Sequence, residues 1–293
     1  MKEKIARKDF KAIIDHPGSG SILGIKDDKV LLVSIQREAI PFETFEIPGG
    51  VCEPHETHEQ AARREFLEET GHELGYTFHL RTIRPSVGYS NEMISVFYAK
   101  VSEKVSDGEL PAEWFTKDEV SALIVGGKVL DSQSLAALSF WLTTELSFEL
   151  PSVMFICTGN YYRSRFCEIY FNHLTKGKAA PADSKGLLAF RKINEGMISP
   201  HTLKYLDQID LTTGKLKFPE QMEAGHFQSG VRIIAMDEVE HRPMIQRDFP
   251  EFEDKIEYWK VHDIDFTDPS EAMPALKMKV EELVRELGLT EPE

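Results

Sequence analysis

The stretch SFELPSVMFICTGNYYRSRFCEIYF, residues 147–171, decides how this chain of 293 residues is built. Before it, short β-rich runs alternate with helical ones, and Pro151 punctuates the change. VMFIC then reads as a nearly all-apolar strand, the pattern of a strand covered on both faces of a parallel sheet. Cys157 stands at its end, five residues follow, and Arg163 and Ser164 open a helical pattern. A strand running through a tight loop into a helix gathers loop amides and a helix N-terminus around whatever anion the loop holds.

Working outward, helical patterns over residues 166–174 and 199–206 alternate with the apolar runs VRIIAM and IEYWKV. The chain closes on a helix with Leu276, Val280, Leu283, Val284 and Leu287 on one face. Upstream, SILGIKDDKVLLVSIQ reads as a hairpin turning at Asp27-Asp28, and ISVFYAKV as a further strand. Residues 55–70 read as a strong helix stopped by Gly71. Both halves therefore read as α/β layer folds, with domains over residues 1–148 and 149–293.

Composition narrows the function. A hydrophobic share of 41% supports proper cores, and the net charge is −15, with −9 and −6 on either side of Leu150. Neither half carries the basic surface that holds nucleic acid or anionic lipid, so any phosphate must be met by local devices. The three cysteines, Cys52, Cys157 and Cys167, are too few for a disulfide framework. The start MKEKIARKDF has no apolar signal core, and no stretch approaches the roughly 20 apolar residues of a membrane span. These features predict a cytoplasmic protein without membrane or nucleic-acid partners.

In GGVCEPHETHEQAARREFLEETG, residues 49–71, Glu65, Glu68 and Glu69 fall at i, i+3 and i+4 on one helix face. Like charges this close repel unless a cation sits on them, and hard oxygen donors suit Mg²⁺ or Mn²⁺. A solvated acidic face is the plainer reading of three glutamates taken alone. The surroundings change it: Gly50, Glu56, Arg64-Glu65-Phe66, Glu68-Glu69 and Gly71 match the Nudix box G-x5-E-x7-R-E-U-x-E-E-x-G-U everywhere but its last position, where His72 replaces an aliphatic residue. The first half thus resembles a Nudix hydrolase, which implies an α/β/α sandwich with a mixed sheet. It also implies Glu65, Glu68 and Glu69 as metal ligands with the Gly49 carbonyl, and a Glu56–Arg64 ion pair that shapes the loop.

Residues 10–146 further resemble the ADP-ribose pyrophosphatase branch of that family. Gln36, Arg37, Glu46 and Pro48 stand where the branch has its Q-x-R and E-x-P-x-G elements, which implies Arg37 in substrate binding. RPSVGYSNEMISVFYAK is similar to the S-P-G-x-S-x-E loop, with Val87 replacing its proline. By that resemblance Glu92 helps bind metal or acts as the base; an ordinary loop carboxylate is the alternative. The branch often forms dimers, so a homodimer is admitted, although no interface is marked in the sequence.

In the second half, the field that holds an anion also favours a nucleophilic thiolate at Cys157, and Arg163 can grip a phosphoryl group with two parallel hydrogen bonds. A lone C-x5-R is weak, and a buried structural cysteine is the plainer reading. The whole string C-T-G-N-Y-Y-R-S after an apolar strand, followed by ADSKGL, SPHTLKYL and RIIAMDEVEHRPM in order, resembles a low-molecular-weight protein tyrosine phosphatase over residues 151–290. That implies a parallel-sheet α/β domain needing no cofactor. Cys157 would be the nucleophile, Arg163 the phosphoryl ligand, Asn160 the brace of the loop, and Ser164 the hydrogen-bond partner of the leaving thiolate.

The general acid should be an aspartate on a late loop. Asp268-Pro269 is the literal family dipeptide, whereas register from IEYWKV and from the last helix favours Asp263 or Asp265. Asp263 is preferred. Arg165 stands where the family usually has proline, and Tyr161-Tyr162 either stack on a substrate or cover the loop. Together the resemblances imply a bifunctional hydrolase of nucleoside diphosphate sugars and of phosphomonoesters, phosphotyrosine or a phosphorylated metabolite. The alternative is a nucleotide-binding Nudix sensor that regulates the phosphatase.

Overall fold

The computed structural model describes residues 14–38, 40–190, 196–211 and 216–289. The amino-terminal MKEKIARKDF, read above for a signal core, lies outside them. Contacts divide the chain between Phe148 and Glu149 into two units.

The first unit opens with β1 (Ser19–Lys26) and β2 (Lys29–Ile35), a hairpin whose two turn residues both take left-handed φ, 48° at Asp27 and 57° at Asp28. Aspartate tolerates that region, and such a turn matches the twist of the flanking strands. There follow β3 (Thr44–Glu46), β4 (Gly49–Val51), α1 (His58–Thr70), β5 (His72–Ile83), β6 (Ile94–Lys104), β7 (Ala112–Phe115), α2 (Lys117–Val125) and α3 (Ser132–Thr143). The first helix starts three residues later than the pattern predicts. His55 has φ 72°, and Thr57 is the N-cap, with Thr57 and Gln60 closing a reciprocal capping box. At the other end Gly71 takes φ 73°, and its N–H donates to the Leu67 carbonyl at 2.8 Å.

The sheet has seven strands along the path β3-β2-β1-β6-β5, with β4 also on β1 and β7 also on β2. Only β1 and β6 pair in parallel, so the sheet is mixed. Alternation along the strands gives each layer its own core. Ile22, Phe97, Ala99 and Val101 pack on Ala62 and Phe66 of α1, while Leu23, Ile25, Val96 and Tyr98 pack on Val120, Ala137, Leu138 and Trp141 of α2 and α3. Gly20 lets α1 approach, since a Cβ there would lie 1.9 Å from the His58 carbonyl.

The second unit runs β8 (Val153–Cys157), α4 (Arg163–Leu174), β9 (Asp183–Gly186), α5 (Pro200–Gln208), β10 (Arg232–Ala235), α6 (Glu238–Asp248), β11 (Ile256–Tyr258) and α7 (Pro269–Glu286). Its four strands, in order β11-β10-β8-β9, are all parallel. Leaving β8, the chain first adds β9 on one side and later β10 on the other, so the crevice at the carboxyl ends of β8 and β10 is the switch point where open α/β sheets place their sites. Leu276, Val280, Leu283 and Val284 of α7 are buried with Phe155, Phe166 and Phe171. Truncating one such phenylalanine to alanine costs about 3–5 kcal/mol. Leu287, expected on the same face, sits just past the helix end and is 38% exposed.

Candidate active sites

In the first unit, the loop between β4 and α1 brings Glu56 back to Arg64. The guanidinium donates from Nε and Nη2 to the two Glu56 oxygens at 2.9 and 3.0 Å, the ion pair the box implied. The same guanidinium reaches Glu65 at 2.8 Å and Glu68 at 3.0 Å through Nη1, and the Val51 carbonyl at 3.2 Å through Nη2. These contacts hold Arg64 well above the ordinary arginine range, with Glu56 the largest cause. Glu69 accepts from the Gly49 N–H at 3.1 Å. Burial, with some help from Glu65, pushes Glu69 up to about 7.

Among the described residues no three His, Cys, Asp or Glu side chains gather as a ligand shell; Glu65 and Glu68 contact Arg64, and Glu69 contacts the Gly49 N–H. The donors still suit a hard cation: three carboxylates from adjacent turns of one helix, with room for Glu65 where Gly50 lacks a Cβ. A Cβ there would stand 2.2 Å from Glu65 Oε1. Glu92 belongs to the same end of the sheet. Ser19 Oγ donates to it at 3.3 Å, and β1 sets Ser19 beside Ile94 and Ser21 beside Gly49. Arg37 makes a two-pronged pair with Glu46, at 3.1 Å from Nε and 2.6 Å from Nη2, and remains half exposed.

In the second unit, β8 ends on Cys157, which is buried with its Sγ 3.0 Å from Ser164 Oγ. The loop between them is held from behind. Asn160 takes a left-handed φ of 47°, and its side chain donates to Ser164 Oγ at 3.1 Å and Ser184 Oγ at 2.8 Å while accepting from the Glu220 N–H at 2.9 Å. Gly186 permits this, since a Cβ there would lie 2.8 Å from Asn160 N. The other helices of the unit, α5, α6 and α7, begin with a side-chain cap, whereas α4 begins at Tyr162 with none. The first-turn amides of α4 thus face the loop without a capping oxygen.

Arg163 is almost fully enclosed, 1% exposed. Its Nη1 donates to the Val261 carbonyl at 3.0 Å, and its Nη2 donates to Glu240 at 2.8 Å and Asp263 at 2.9 Å. Of the three candidate acids, Asp263 is therefore the one brought to the loop. Asp268 caps α7 through the Ser270 N–H at 2.8 Å, and Asp265 is exposed. Tyr162 is buried in the core of the unit, and burial pushes its hydroxyl up to about 12. Arg165 is wholly buried and donates to Glu168 at 2.5 Å.

Glu240, Thr158 and His241 were not singled out from sequence. The Thr158 hydroxyl donates to Glu240 Oε1, and His241 Nε2 lies 3.3 Å from Thr158 Oγ1. Asp237 as N-cap of α6 was the available signal, because it turns the first helical turn, and with it Glu240, toward the end of β8. No spacing rule joins that turn to a loop 77 residues earlier.

Fold and site together define two α/β modules made for phosphate chemistry, one carrying carboxylates on a helix and the other a cysteine loop. The comparisons give them their families: residues 16–137 are a NUDIX domain, and residues 152–286 are a low molecular weight phosphotyrosine protein phosphatase domain. Both are hydrolase families, and NUDIX domains generally need a divalent metal such as Mg²⁺. The chain is 29% identical over 138 residues to a protein named methanol dehydrogenase activator from Bacillus methanolicus, covering 44% of this chain and 75% of the relative. An ADP-ribose pyrophosphatase of Bacillus subtilis (strain 168) is 28% identical over 138 residues, with the same shares. A low molecular weight protein tyrosine phosphatase from Streptococcus pyogenes matches 46% of this chain and 91% of its own at 20% identity and a TM-score of 0.40. No helix among the described residues is long and apolar enough to cross a membrane.

Proposed function

We propose that the chain hydrolyses two kinds of phosphate bond at separate sites: ADP-ribose-like nucleoside diphosphate sugars in the first unit and phosphomonoesters in the second. The observation that carries the reading is the convergence of Cys157, Ser164 and the enclosed Arg163 at the switch point of a parallel sheet, at the start of the uncapped helix α4. In the second unit the Cys157 thiolate attacks phosphorus, the bond to the leaving oxygen breaks, and Asp263 gives that oxygen its proton. Water then attacks the phosphocysteine, Asp263 takes the water's proton back, and Ser164 hydrogen-bonds the departing thiolate. Arg163 and the α4 amides carry the charge that builds on the phosphoryl oxygens.

In the first unit Glu65, Glu68 and Glu69 would hold Mg²⁺ or Mn²⁺ beside Gly49. A cation bound there supplies charge neutralisation and an acidified water for in-line attack on the diphosphate. Arg64, tied to Glu56, keeps Glu65 and Glu68 in place, and Arg37, fixed by Glu46, presents its outer N–H groups to the diphosphate. Glu92 sits at the same sheet end, where it can take the proton of the attacking water. The relative named ADP-ribose pyrophosphatase supports this substrate class. The test is to assay AMP release from ADP-ribose with Mg²⁺, and p-nitrophenyl phosphate hydrolysis in EDTA, in the parent, Glu69→Gln and Cys157→Ser proteins. Each substitution should abolish its own activity and spare the other; loss of both activities in either variant would overturn the assignment of separate sites.

A further inference from the structure

Arg163 Nη2 has two hydrogens, and Glu240 and Asp263 take both, at 2.8 and 2.9 Å. A two-pronged grip on a phosphoryl group through the Nε and Nη2 edge needs one of them back. Asp263, as the proton donor, is neutral when it serves the leaving oxygen and then no longer competes as a charge. Glu240 has no such release, because every neighbour named for it is a donor. The Asp237 N–H donates to His241 Nδ1 at 3.0 Å, which leaves the proton of the neutral ring on Nε2, facing Thr158 Oγ1 at 3.3 Å. The Thr158 hydroxyl in turn donates to Glu240 Oε1. Burial pushes His241 down to about 4, so the ring is neutral near pH 7, and Arg163 keeps Glu240 below the usual carboxylate range. A charged carboxylate therefore stands in the anion pocket, tethered on one oxygen and bound to the phosphoryl-gripping guanidinium by the other.

We infer that Glu240 is a positioning residue that sets the site's affinity for phosphate: it holds Arg163 in register and competes with the phosphoryl dianion for the same N–H. This rests on the reading of residues 157–164 as a phosphoryl-binding loop. A like charge this close to the dianion, in a partly buried pocket, raises the cost of binding, while the tether keeps the guanidinium aimed. Glutamine at this position preserves an acceptor for Arg163 and removes the charge.

The experiment uses the full chain in EDTA with inorganic phosphate, read by calorimetry and as competitive inhibition of p-nitrophenyl phosphate hydrolysis. Glu240→Gln should tighten phosphate by about tenfold and lower KM in step, with kcat changed by less than about threefold. Glu240→Ala, which also loses the tether, should bind phosphate more tightly than the parent but lose about tenfold or more in kcat. Phosphate binding in Glu240→Gln that is unchanged or weaker overturns the inference. So does binding that survives Arg163→Ala in the Glu240→Gln background, because the anion would then sit elsewhere. Equal kcat in Glu240→Ala and Glu240→Gln removes the positioning role. Calorimetry needs no turnover, so a parent that binds phosphate without hydrolysing the ester would sink the hydrolase reading while leaving this one decided by its own numbers.

Discussion

In the first unit a guanidinium lies across carboxylates, and in the second, carboxylates lie across a guanidinium. Arg64 joins Glu56, Glu65 and Glu68 where it is 26% exposed, whereas Arg163 joins Glu240 and Asp263 at 1% exposed. Each candidate site thus keeps its charges paired with side chains of the opposite sign. The difference lies in the solvent. Water reaches the Arg64 guanidinium and Glu68, which screens that pair and limits it to less than about 1 kcal/mol. In the second set the guanidinium itself is desolvated although Glu240 and Asp263 remain about 30% exposed, and stranding it without a partner costs about 3–5 kcal/mol. A partly solvated guanidinium can therefore lose a carboxylate partner at lower cost than an enclosed one.

The largest test of that contrast is chemical. Cys157→Ser should lower p-nitrophenyl phosphate turnover by at least about 10³-fold and leave ADP-ribose hydrolysis unchanged; comparable loss of both would merge sites that the comparison keeps apart. Next, denaturant melts of Arg163→Met and Arg64→Met should separate the two environments. The former should destabilise its unit by about 3–5 kcal/mol, and the latter by about 1 kcal/mol or less. Equal losses would break the comparison.

A pH series sharpens it further, because His58 in the first unit is also buried. Its ring is pushed down to about 4, chiefly by burial and secondarily by His16. A lowered folded value means the unfolded chain binds the proton first, so stability is complete above pH 6.5 and falls as pH drops from 6.5 toward 4, by about 2–3 kcal/mol. His58→Gln should flatten that slope in the first unit's melting transition. The smallest expected effect is at the helix start. Thr57→Ala removes the hydroxyl that accepts the Gln60 N–H at 3.3 Å and should cost about 1 kcal/mol, with ADP-ribose turnover changed little.

Local rules accounted for the elements, with instructive misses at their ends. The sequence reading starts the first helix at residue 55; it starts at His58, where the left-handed backbone of His55 and the Thr57 cap set its beginning. Leu287 keeps the spacing of the α7 face, yet the helix ends at Glu286 and leaves it partly in solvent. The two tyrosines of the cysteine loop read alike in sequence. Only packing shows that Tyr162 is buried among the elements behind it, its ring 6.3 Å from that of His201.

The sequence by itself determined the two α/β modules, the metal-suited carboxylates at i, i+3 and i+4, and the cysteine and arginine five residues apart. All of these are short-range patterns, set by helix pitch, strand alternation and the length of one loop. The tertiary structure alone decided which distant side chains meet them. It set Glu240 on the Arg163 guanidinium across 77 residues, and it brought there Asp263, which register already favours over Asp268. Such pairings depend on strand order in the sheet, and strand order leaves no local trace in the chain.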